Sequence, residues 1–207
     1  MQNVTKETLG KISEKIGEIE KRSRCELLMM LTKESDDYRY ITVSWAAVGA
    51  LILPVPLLYF SPALPTDPLS MLTLQWGAFL GALLLGRIDA VRFRLVPKPI
   101  RLRRAALKAR ENFVSLGLNS ADSPPAVLFF ISLKEQYVEI LTNAKVPIPD
   151  ESWQRIVDTM VARIKSESLD AGILEALDAL SELMQKRCPS AKEETKNRYP
   201  NKLIVLE

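Results

Sequence analysis

The sequence predicts an α/β fold: a small mixed-sheet sandwich flanked by helices and interrupted by a two-helix transmembrane hairpin. Three observations lead there. Two uncharged apolar stretches, Tyr40 to Phe60 and Leu69 to Gly86, each suffice to cross a hydrocarbon core, which takes roughly 17–25 helical residues. Apolar runs of strand length, CELLMML and AVLFFISL, lie on either side of those stretches. Helix-period stripes alternate with the runs, as in a layered α/β domain.

The elements follow in order. Residues 5 to 22 read as a helix with Leu9, Ile12, Ile16 and Ile19 on one face and Thr5 as an imperfect cap. Cys25 to Leu31 is almost wholly apolar, like a strand buried on both faces. Thr32 to Arg39 is a polar connection, so the first domain part is 1–39. Residues 40–60 form the first span, kinked by Pro54 and Pro56. Residues 61–68 are an external loop and 69–88 the second span. Gly77 and Gly81 have the spacing that lets helices approach closely, which favours packing within the hairpin over self-association.

Beyond the spans, Pro97 and Pro99 mark a break, and the second domain part runs from 97 to 189. Ile100 to Leu116 is a basic amphipathic helix with Leu102, Ala106, Phe113 and Leu116 on its apolar side, stopped by Gly117. Ala126 to Leu133 and Tyr137 to Thr142 form an antiparallel hairpin through Lys134-Glu135-Gln136. After Pro147 and Pro149 comes a helix capped by Asp150 or Ser152, with a stripe of Trp153, Ile156, Val157, Met160, Val161 and Ile164. Ser168 caps the next, where Ile173, Leu174, Leu177, Leu180 and Met184 repeat the pattern up to Cys188-Pro189. Residues 190–207 are a polar linker and a tail, Leu203 to Leu206, suited to an edge strand.

Charge orients the hairpin. Arg87, Arg92, Arg94, Lys98, Arg101, Arg103 and Arg104, continued by Lys108 and Arg110, follow the second stretch, whereas Ser61 to Ser70 holds no Lys or Arg. Cytoplasmic flanks are enriched in those residues. The expectation is a multi-pass protein of the inner (cytoplasmic) membrane with both termini cytoplasmic, its basic flank meeting lipid headgroups.

Composition removes several chemistries. The chain has no histidine, hence no Ser-His-Asp or Cys-His nucleophile system. Cys25 and Cys188 have no metal-ligand spacing and read as small buried hydrophobes. A net charge of +3 does not argue for nucleic acid. No phosphate-cradling glycine motif or nucleophile elbow occurs. Asp36 with Asp37, Glu135 with Glu139, and Asp150 with Glu151 are the acids on which metal-assisted hydrolysis would draw. Adjacent surface acids are ordinarily solvated, and acids at a helix start favour its dipole. The residues themselves therefore assign no catalytic or metal-binding group and no cofactor.

Several segments resemble the TPM domain family. They are the first helix leading through Glu20 and Ser23 into CELLMML, and the basic helix with Ala105, Ala106, Ala109 and Phe113 ending at Gly117-Leu118. VLFFISLKEQYVEIL, Trp153-Gln-Arg-Ile-Val and SLDAGILEALDAL follow. The resemblance implies an α/β sandwich, with a membrane hairpin inserted in some bacterial members. It implies a module that binds or organises a membrane-protein partner, since some members act in assembly or maintenance of membrane protein complexes; with no catalytic motif in the chain, the expectation is that it does so without catalysis. The alternative it implies is a membrane-tethered, metal-dependent phosphatase using a divalent ion. The family often carries an acid just after the second strand of the hairpin; here Asn143 stands there, and Lys145-Val146-Pro147 replaces a glycine-rich segment.

Overall fold

The computed structural model describes residues 6–60, 67–189 and 203–206. In chain order the elements are α1 (Lys6–Arg22), β1 (Glu26–Thr32), α2 (Arg39–Ile52), α3 (Pro54–Phe60), α4 (Pro68–Leu85), α5 (Asp89–Leu95) and α6 (Lys98–Ser115). Then come β2 (Ala126–Ser132), β3 (Tyr137–Thr142), α7 (Asp150–Ser166), α8 (Leu169–Arg187) and β4 (Leu203–Leu206). They fall into two units, Met1–Ser35 with Arg103–Glu207, and Asp36–Leu102.

The first unit is built on a mixed sheet of order β3-β2-β1-β4. β1 runs parallel to β2, from Glu26 opposite Ala126 to Thr32 opposite Ser132. β4 adds parallel to the other edge of β1, so the apolar tail does become an edge strand. β3 returns antiparallel to β2 after a turn with Gln136 at φ 52°, the hairpin read from the sequence. Every residue of β1 and β2 is buried, which is why both read as continuous apolar runs rather than alternating ones.

The two-residue period of a strand divides those runs between two layers. Leu27, Met29, Leu31, Val127, Phe129 and Ile131 face a core completed by Ile12, Ile16 and Ile19 of α1 and the apolar stripes of α7 and α8. Leu28, Met30, Leu128 and Phe130 face Ala109 and Phe113 of α6, with Leu118 beyond it. The result is a three-layer α/β sandwich.

Two local readings are corrected. The buried line of α6 is Ala105, Ala109 and Phe113, while Leu102, Ala106 and Leu116 are only half-buried. Small alanines at i and i+4 allow a helix backbone to lie close to a sheet, and the seam shifts by one residue to use them. Neither Asp150 nor Ser152 caps α7: Pro149 holds the N-cap position without a side-chain bond, and Asp150 and Glu151 lie in the first turn, where the helix dipole favours them. Ser168 caps α8 as expected, accepting from Ala171 N at 3.2 Å.

Helix α6 ends where the sequence places the stop. Gly117 takes φ 70°, Gly117 N–H donates to Val114 O at 2.9 Å and Leu118 N–H donates to Phe113 O at 3.2 Å. This pair of bonds is the Schellman ending, with buried Leu118 as its apolar closure.

In the second unit the first apolar stretch is two helices, not one. Pro54 lacks the N–H that would continue α2, and α2 closes with Leu53 N–H donating to Gly49 O at 2.9 Å. Among the described residues one helix, Pro68–Leu85, is long and apolar enough to cross a membrane; α2, at 14 residues, is not. None of the residues in that window of α4 is buried. Asp67 caps it by accepting from Ser70 N at 3.0 Å. Helix α2 packs against α4, and the close approach is at Gly86, where a Cβ would lie 2.0 Å from Thr42 Cγ2. A Cβ at Gly77 or Gly81 would meet nothing within 4 Å among the described residues, so hairpin packing does not account for their spacing. Tyr38, Ile41 and Val96 form a small cluster beside α5, with Tyr38 meeting Phe93 edge-on at 5.5 Å. The expected Thr5 cap, most of the external loop and the linker 190–202 lie outside the described residues.

Gly117→Ala forces an L side chain into the left-handed region and should lower unfolding free energy by about 1–2 kcal/mol. Chemical denaturation measures it.

Candidate functional site

Polar side chains gather at the carboxyl ends of the parallel strands, where open α/β sheets ordinarily place ligands. Glu135 lies in the β2–β3 turn and is only 4% exposed. One of its carboxylate oxygens accepts from Ser132 Oγ at 2.5 Å and the other from Ser35 N–H at 3.1 Å. The two serine hydroxyls are 2.8 Å apart. Lys134 Nζ pairs with Glu34 at 2.6 Å, and Leu133 N–H donates to Thr32 O at 3.0 Å. These bonds tie the end of β1 to the turn after β2. Ser132 is buried, so its hydroxyl offers no open face to a substrate. The arrangement works as a clasp between strand ends.

A second polar centre lies at the other end of the β2–β3 hairpin. Asn143 is buried just past β3. Its Nδ2 donates to Leu118 O at 3.2 Å and Pro124 O at 2.7 Å, while its Oδ1 accepts from Ala126 N and Lys145 N, both at 3.3 Å. Lys145 Nζ donates to Ala121 O and Ser123 O, each at 2.6 Å. A carboxylate at position 143 would accept the same backbone bonds and fail to donate to the two carbonyls. The divalent ion that the resemblance implies therefore does not fit here: donors already point at the loop oxygens.

Three of the remaining candidate acids have local partners. Asp36 accepts from Tyr38 N at 3.2 Å; Asp37 accepts from Arg39 N at 3.2 Å and pairs with Arg39 Nε at 3.0 Å. Glu139 accepts from the Tyr137 hydroxyl at 3.0 Å. Burial first, and then the Glu139 carboxylate, push the Tyr137 phenol up to about 12. Asp150 and Glu151 are exposed in the first turn of α7. Among the described residues, no three His, Cys, Asp or Glu gather where they could hold a metal ion.

The cysteines, distant in sequence, meet in space. Both are buried and unbridged, and the Arg24 N–H bond to Cys188 O at 3.1 Å joins their segments. Burial, followed by the hydrogen bond with Cys188, raises the Cys25 thiol. No spacing rule could have revealed this pairing, because it follows from α8 ending beside the start of β1.

The basic flank is placed unevenly. Arg87, Arg94, Lys98, Arg103 and Arg104 are exposed, while Arg101 is half-buried. Arg92 pairs with Asp89 at 3.0 Å and lies 5.8 Å from the Phe93 ring centroid, so it braces α5.

Comparison with known proteins agrees with this geometry. Residues 101–183 match the model of the TPM domain, which bears out the resemblance over that segment and leaves the apolar stretches outside it. No curated protein sequence matches. The chain is similar to the NMR structure of BA42 protein from the psychrophilic bacterium Bizionia argentinensis, with a TM-score of 0.58 and 13% identity, covering 99% of this chain and 96% of that one. At that identity the likeness speaks to fold alone.

Two outcomes follow. Asn143→Asp should destabilise the protein by about 1–3 kcal/mol near neutral pH, from carbonyls left unpaired, and less in acid, where a protonated carboxyl can donate again. Denaturation midpoints at the two pH values test it. For Tyr137, the fold favours the neutral phenol, so its stabilising effect is complete below the ordinary phenol range near 10 and is lost as pH rises through about 12. Tyr137→Phe should remove that share of the alkaline loss in a midpoint-against-pH series.

Proposed function

Taking the TPM domain match over residues 101–183 as premise, we propose that this chain is an integral membrane protein. It presents a cytoplasmic α/β domain that binds or organises a membrane-protein partner, without catalysis. The observation that carries the reading is α4: an apolar helix of 18 residues with no buried residue in its window. Leu69, Leu72, Trp76, Leu80, Leu84 and Leu85 are all exposed along it. Exposed apolar area on that scale marks an interaction surface or a lipid contact, and its length matches a bilayer core. In this reading α2 and α3 complete the hairpin as a helix broken at Pro54, a break that membrane segments tolerate where neighbours satisfy the freed backbone.

The charge pattern supports the orientation. Arg87, Arg94 and Lys98 are exposed after α4, and Lys and Arg are absent from Ser61 to Ser70. Both termini then lie on the cytoplasmic side, and Arg103 and Arg104 on α6 extend the basic surface that anionic headgroups attract. The interaction role is favoured because Glu135, the buried one of the candidate acids, is engaged as a clasp between segments.

Membrane residence is tested by alkaline carbonate extraction. The intact protein should stay in the pellet, and Leu80→Arg, which adds about 3 kcal/mol to insertion at a helix centre, should shift it toward the soluble fraction. Photo-crosslinking from exposed Arg104 in intact membranes should then capture one defined integral protein. Capture of none in a scan of the domain's exposed helices contradicts the partner role.

A further inference from the structure

The loop between α6 and β2 turns backbone oxygens toward the segment that leaves β3. Two of them, Ala121 O and Ser123 O, converge on Lys145 Nζ at 2.6 Å each. Two more, Leu118 O and Pro124 O, converge on Asn143 Nδ2. Backbone carbonyls grouped in a short loop are the ligand type that hard cations such as calcium select. Here the positive charge that meets them is covalently part of the chain. Asn143 and Lys145 are also tied to each other, since Asn143 Oδ1 accepts from Lys145 N at 3.3 Å.

We propose that Lys145 is a built-in cation: its ammonium, seated by Asn143, holds the 117–125 loop closed in place of an exchangeable divalent ion. The ammonium is a compact charge with three donors and bonds two carbonyls directly. A tethered group loses no translational freedom on seating, unlike a bound ion. It also answers to neither chelator nor metal concentration, so the loop and the start of β2 that it supports hold one arrangement whatever the divalent ion level. The inference stands apart from the membrane reading, since it concerns only residues of the α/β unit.

The test is hydrogen exchange on the full chain in detergent, followed over residues 117–126. Wild-type protein should show the same protection in chelator and in millimolar calcium or manganese. Lys145→Met keeps the stem of an exposed residue and should fold; it should speed exchange of the loop several-fold while leaving β1 unchanged. The double variant Asn143→Asp with Lys145→Met removes both donors and leaves one carboxylate facing the carbonyls; it should gain protection on addition of calcium or manganese, and a folded double variant that gains none counts against the proposal. If it does not fold, the single variant decides. Tightening of the wild-type loop by either ion overturns the proposal, as does a Lys145→Met loop that exchanges at the wild-type rate.

Discussion

The first unit depends on pairing two strands that the chain keeps far apart. Glu26–Thr32 lies parallel to Ala126–Ser132, with most of the polypeptide's apolar stretches between them in sequence. Closing so long a loop costs entropy, though the cost grows only slowly with length. Burial on both faces of both strands opposes it. Phe129 and Met29 are fully buried on one side, Phe130 and Leu128 on the other, and a buried side chain of this size contributes about 1.5–3 kcal/mol by leaving water. The helices are arranged to make that burial two-sided: α1, α7 and α8 cover one layer and α6 the other.

Polar groups inside this frame act as fasteners. Glu135 joins the end of β1 to the turn after β2 through Ser35 and Ser132. Asn143 fastens the ending of α6 and the approach to β2 from the opposite end of the same hairpin. Each is buried and hydrogen-bonded, which avoids a desolvation cost of several kcal/mol, and each bonds more than one segment. Of the acids that metal-assisted hydrolysis would draw on, Glu135 is thus bound up in joining strand ends.

Much of the fold was legible because it rests on periodicity. Ile12, Ile16 and Ile19, the runs that became β1 and β2, and Ile173, Leu177, Leu180 and Met184 all declare a buried face through spacing alone. Gly117 declared the end of α6 because a left-handed residue there favours glycine. What the sequence hid was of another kind. The seam of α6 moved to Ala105 and Ala109, since alanine gives a weak apolar signal and a strong packing advantage. The division at Leu53–Pro54 depended on whether a proline bends a helix or ends it, and here it ends it. The meeting of Cys25 with Cys188, and of Asn143 and Lys145 with the 117–125 loop, are tertiary facts with no local signature. The departure of Asn143 from an acid was visible, but its reason, donation to two carbonyls, needed the fold.

The two units dispose of apolar surface differently. In the sheet unit the exposed large apolar side chains among the described residues are the scattered Leu107, Val114 and Val205, whereas α4 presents Leu72, Trp76, Leu80 and Leu84 outward along one helix. Trp76 is the natural reporter of what they face. With Trp45 and Trp153 replaced by Phe, fluorescence of Trp76 in vesicles should be quenched by lipids brominated along their acyl chains and little affected by an aqueous quencher. Quenching from water and none from brominated lipid would contradict the claim that Pro68–Leu85 lies in a bilayer.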